Sequence, residues 1–124
     1  MTKKILLIVI ILIIIYTIFN INYPVNKEKV VGKYANKNSE NPICCLEAPH
    51  VPDTLKLNTD GSFISKYYGN GKYDIGKGFE TEIEFKCTDS GKELLIRTYF
   101  ENKLFGKPRI ILNADMNHYY EKIE

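Results

Sequence analysis

Two hydrophobicity patterns divide this chain. Residues 5–19 form an unbroken apolar run, extended by Ile21, whereas after Pro24 apolar and polar positions alternate in short bursts. The clearest burst is 81–87, where Thr81, Ile83, Phe85 and Cys87 interleave with Glu82, Glu84 and Lys86. That period of two marks a half-buried strand. Residues 54–57 put Leu55 and Leu57 on one face, and Asn58-Thr59-Asp60-Gly61 follows as a turn with Gly where a positive φ is needed. Further strands are expected at 30–34, 62–68, 72–75, 94–100 and 109–112, and 118–123 reads as a last strand or a terminal helical turn. Both faces of 62–68 are mixed, Gly69-Asn70-Gly71 reads as a reversal, and 76–78 reads as the next break. Nothing after Pro24 sustains a helical period. Short strands between regular turns predict an all-β antiparallel meander, closed as a small barrel, half-open as a roll or folded as a sandwich.

The apolar run predicts one helix at the border between a membrane span of about 18–20 residues and a signal region of about 7–15. No small-x-small pattern comes after it, and Tyr16, Phe19 and Tyr23 stand where interfacial aromatics belong. The residues therefore favour an uncleaved anchor over 1–22, a cleaved signal being the competing reading, with a tether at 23–29 and one β-domain at 30–124. Lys3 and Lys4 argue for an inside N-terminus, while Lys27, Lys29, Lys33 and Lys37 count the other way. Short N-terminal anchors normally export the domain they carry, so the β-domain is expected outside the cytoplasm.

Charge removes one class of partner. Without Lys3 and Lys4 the 17 basic residues fall to 15 and match the 15 acidic ones. A neutral domain with no basic cluster has no electrostatic footprint for nucleic acid.

Gly32-x-Tyr34, then Asp53-Thr54-Leu55-x-Leu57-x-x-Asp60-Gly61-x-Phe63, then Gly71-x-Tyr73-x-Ile75 resemble the successive strands of small bacterial lipocalin-like β-domains carried on envelope anchors. The closing stretches 108–112 and 117–120 resemble an uncharacterised family of such proteins. The resemblance covers roughly half of the β-domain and implies a barrel in the cell envelope, shorter than a ligand-carrying lipocalin. It implies no activity.

Candidate chemistry is sparse, and each group has a plain structural reading beside it. Cys44 and Cys45 lie in a long Pro- and Asn-rich loop, 35–52, and Cys87 lies on the central strand. Outside the cytoplasm either loop cysteine would pair with Cys87, closing a loop worth about 3–4 kcal/mol. Buried thiols compete with that reading, and a metal site with His50 does so weakly, because adjacent cysteines lack the spacing zinc prefers. Glu80, Glu82 and Glu84 share one strand face about 7 Å apart and read as a solvated outer surface. His118 near Asp115 has no Ser or Cys in a nucleophile motif to serve, so no catalytic residue, metal or cofactor is assigned.

The expected role is non-enzymatic: binding of a small apolar ligand, lined by Tyr34, Leu57, Phe63, Tyr73, Phe85 and Phe100, or of a protein partner. The alternative is an interaction, immunity or accessory envelope protein with no cavity, recognised through loop 35–52 or an aromatic patch of Tyr67, Tyr68 and Tyr99.

Overall fold

Ten elements follow one another along the chain in the computed structural model, which describes residues 2–42, 48–89 and 91–124. Helix α1 spans Thr2–Asn20, and a single turn, α2, spans Lys27–Val30. Eight strands come next: β1 (Gly32–Lys37), β2 (Thr54–Leu57), β3 (Ser62–Ser65), β4 (Gly69–Lys77), β5 (Thr81–Asp89), β6 (Lys92–Glu101), β7 (Arg109–Asn113) and β8 (His118–Lys122). Each pairs antiparallel with the next, and β8 returns to β1, so the meander closes as a barrel. Closure leaves no free sheet edge at either end of the strand order, which is how an all-β domain of this size avoids edge pairing.

Side-chain alternation sets which face looks in. Leu55, Leu57, Tyr73, Ile83, Phe85, Cys87 and Phe100 all point into the barrel and are buried, as their period of two predicts. On β3 the structure resolves the mixed pattern: Phe63 and Ser65 face in and Ile64 faces out. Tyr34 meets Phe100 edge to face at 6.4 Å, and Phe63 meets Phe85 the same way at 5.3 Å. Such T-shaped contacts add to the area these rings bury.

Two expected boundaries move. Residues 69–71 are not a turn: β4 begins at Gly69, and the chain reverses at 66–68. Gly71 sits deep in the sheet opposite Cys87, under the Phe63 ring. Strand β1 likewise starts at Gly32, because Val30 belongs to α2 and plugs the barrel with no exposure at all. The stretch 23–29 is no free tether. The Tyr23 and Val25 amides donate to the Asn102 carbonyl (2.9 Å) and Thr81 Oγ1 (3.0 Å). The Lys122 ammonium donates to the Lys29 and Val31 carbonyls, each at 2.7 Å, so carbonyls at the end of α2 find a cationic cap.

The antiparallel order sorts the turns to two ends. The proximal end, where α1 joins, carries 58–61, 78–80 and 102–108; the distal end carries 66–68 and 114–117 together with 38–42 and 48–53. The wall is uneven. β5 and β6 are paired from Thr81↔Phe100 to Asp89↔Lys92, whereas β6 and β7 pair only at Phe100↔Ile110 and Glu101↔Arg109. Beyond them the β7–β8 register shifts between Ile111 and Asn113, and the Thr98 hydroxyl links β6 to β7 by donating to the Ile111 carbonyl.

Buried phenols give the fold an alkaline limit. Burial, chiefly, pushes Tyr34 and Tyr120 well above the usual tyrosine pKa, with the Asp53 carboxylate adding to the effect on Tyr120. Both keep their protons where the unfolded chain would lose them, so their contribution is whole below pH of about 10 and falls as pH rises above it. Together they give a loss of roughly 3 kcal/mol per pH unit. Guanidinium unfolding followed by far-ultraviolet circular dichroism between pH 9 and pH 12 (values set about the ordinary tyrosine pKa) should show this slope. Tyr120→Phe should lower it by about 1.4 kcal/mol per pH unit; an unchanged slope would mean that Tyr120 titrates normally.

Candidate functional site

The interior is filled by the residues expected to line a ligand cavity. Tyr34, Leu57, Phe63, Tyr73, Phe85 and Phe100 belong to one buried cluster with Val30, Leu55, Ile83, Cys87, Ile110 and Tyr120. None of those six lines the hollows of about 540, 300 and 140 Å³ that open between described residues.

The hollow best suited to an apolar group lies at the distal end. It has a volume of about 300 Å³ and is formed by Lys66, Tyr67, Tyr68, Gly69, Thr88 and Leu94, with Cys87 at its floor. Tyr67 and Tyr68 stand edge to face at 4.8 Å on its wall. Leu94 and Tyr68 also pack against the core cluster, so the hollow is an outward continuation of the apolar interior.

What shapes its wall is a buried polar knot that the sequence pattern does not reveal. The Asp53 carboxylate accepts hydrogen bonds from the hydroxyls of Ser65 (2.7 Å) and Tyr120 (2.5 Å). It also accepts from the Lys66 and Tyr67 amides at 3.1 and 3.3 Å. Ser65 Oγ in turn accepts from the amides of Tyr67 and Tyr68. One carboxylate thus gathers β2, the 66–68 turn and β8, orienting the two tyrosines at the rim. Asp53 opens the L-x-L motif and Ser65 is the polar residue on an otherwise apolar inner face; those were the only local signals.

A larger groove of about 540 Å³ runs along the outer wall of β4–β6, with Asp74, Glu80, Glu82, Glu84, Arg97 and Tyr99 among its lining. The glutamate set therefore does share one surface. Glu84 is bound by Arg97 (2.6 Å) and Lys86 (3.2 Å), and chiefly the Arg97 hydrogen bond holds its carboxyl below the usual range. Carboxylates and an arginine this accessible to water favour solvation over enclosure of a ligand. Size alone does not make it the better site.

The remaining candidates separate. His118 is buried, its Nε2 at 2.9 Å from the Asn41 carbonyl, while Asp115 is exposed on the adjoining turn. A hollow of about 140 Å³ beside His118 lies where β6 and β7 part. His50 is exposed in the long loop. Tyr99 faces the outer groove and Tyr67 and Tyr68 the distal rim, so the three form no single patch. Cys44 and Cys45, and with them any pairing to Cys87, lie outside the described residues; Cys87 itself is buried opposite Gly71. Compared with protein-family models, curated proteins and solved structures, the chain finds no match.

Proposed function

We propose that this chain is a membrane-anchored, extracytoplasmic, non-enzymatic binding domain of lipocalin-like form, whose distal hollow takes a small apolar ligand or one apolar side chain of a protein partner. The carrying observation is the 300 Å³ hollow itself, floored by core side chains and facing away from α1. Its size is at the lower limit of small-molecule sites. α1 is long and apolar enough to cross a membrane, and none of its residues is buried against the barrel. The filled interior favours a rim-binding protein over a carrier that encloses its cargo, and so also supports the reading of an accessory envelope protein with no internal cavity.

Methyl-labelled protein in phosphatidylcholine nanodiscs, titrated with indole as the apolar probe, tests the ligand reading. Saturable shifts are expected at the Leu94 and Thr88 methyl groups. Leu94→Trp, which fills the hollow, should abolish the shift at Thr88. A parent protein with no saturable shift loses the ligand reading and keeps only the partner one.

A further inference from the structure

Where α1 meets the barrel, the geometry fixes more than a tether would. The last turn of the helix carries Phe19, whose ring stacks on Phe105 at 4.9 Å with the planes 16° apart. Just beyond it, Asn22 Nδ2 donates to the Phe100 carbonyl (3.0 Å), and Asn22 Oδ1 accepts from the Asn102 amide (2.7 Å). Helix and barrel are thus joined by stacked rings and several hydrogen bonds at the 102–108 loop.

The length of α1 turns this joint into a statement about depth. Its 19 residues reach about 28 Å, against a hydrocarbon core about 30 Å thick. A spanning helix has no turn to spare, so Phe19 lies at the membrane interface. Phe105, in contact with it, lies at the same level.

The loop has the composition that this level demands. Lys103-Leu104-Phe105-Gly106-Lys107 places two exposed apolar side chains, Leu104 at 53% and Phe105 at 67%, between two lysines. Apolar groups there enter the acyl boundary while lysines reach back to phosphates. The neighbouring 78–80 turn, at the same barrel end, presents Phe79 with its side chain wholly exposed. For a domain in water such exposure has no compensation; at a lipid surface it contributes to binding.

We infer that Leu104, Phe105 and Phe79 seat the proximal end of the barrel in the interfacial layer of a phospholipid bilayer, holding the barrel upright with its distal hollow turned to solvent. The inference rests on α1 being a membrane anchor. Tryptophan is absent from the chain, so single substitutions give clean reporters. Full-length Phe105→Trp, Phe79→Trp, Ile10→Trp and Met116→Trp are placed separately in nanodiscs of phosphatidylcholine brominated high on its acyl chains. Ile10 lies within α1 and Met116 in the distal 114–117 turn. Indoles at 105 and 79 should be quenched at least about twofold more than the one at 116, as interfacial side chains are. Quenching at 10 with none at 105 and 79 beyond that at 116 overturns the seating and leaves the anchor standing. No quenching at 10 removes the anchor, and the seating with it.

Discussion

Gly71→Ala should cost the barrel at least about 3 kcal/mol, beyond the usual range for an added methylene in a packed core. A Cβ built at this position would lie 2.2 Å from the Lys86 carbonyl oxygen and 2.6 and 2.7 Å from two carbons of the Phe63 ring. Neither neighbour can yield. The carbonyl belongs to β5, locked to β4 from Gly71↔Cys87 to Lys77↔Thr81, and the ring is buried against Phe85. Gly69→Ala is the control. Its Cβ would meet nothing within 4 Å, but its φ of +74° imposes left-handed strain of about 1–2 kcal/mol. Guanidinium unfolding of both variants in nanodiscs should put Gly71→Ala clearly below Gly69→Ala. The reverse order would show that the sheet opens at Gly71 more easily than its packing implies.

Asp53→Ala ranks with it. Removing the carboxylate strands the Ser65 and Tyr120 hydroxyls and the Lys66 amide around an empty, buried position, and leaves the Tyr67 amide only its Ser65 Oγ acceptor. Each buried donor left unmatched costs about 1–3 kcal/mol, and some will recover water at the partly open turn, so about 3–4 kcal/mol is the expected loss. Tyr120→Phe removes one donor and keeps the carboxylate, and should cost about 1–2 kcal/mol. The double variant should then cost less than the two single losses added, because the hydroxyl has no partner once Asp53 is gone. Strict additivity would mean that the two side chains do not share a network. The indole shifts at Leu94 and Thr88 should weaken in Asp53→Ala even where it stays folded, since the turn carrying Tyr67 and Tyr68 loses its hold.

These two positions mark the limit of what could be read from the chain. β2 and β5 were legible because one face meets the core and the other meets water, which writes a period of two into the residues. The closed barrel followed from many such strands between regular turns. The reversal at 66–68 was not legible: it is fixed by a carboxylate thirteen or fourteen residues earlier, and local composition instead favoured the glycines at 69 and 71. Gly71 is a glycine because another strand needs the space, not because the chain turns there. Docking of 23–29 depends on Asn102 and Thr81, far along the sequence, and so looked like a linker. Apolar spacing placed Tyr34, Leu57, Phe63, Tyr73, Phe85 and Phe100 inside correctly, but spacing carries no measure of volume. Whether such side chains surround a space or fill it is set by barrel diameter and ring orientation, which only the three-dimensional arrangement supplies.

Pairing of β1 with β8 imposes an order on how the molecule is made. β1 is complete early in synthesis, yet the partner for its second edge is the last strand of the barrel to emerge. The local hairpins β4–β5 and β5–β6 can zip as soon as they leave the ribosome, whereas closure must wait for a contact spanning nearly the whole domain. During that wait the second edge of β1, separated from the end of α1 by eleven residues, stays open. The β1–β8 pairing that shuts the ring is therefore the last strand pairing the growing chain can make.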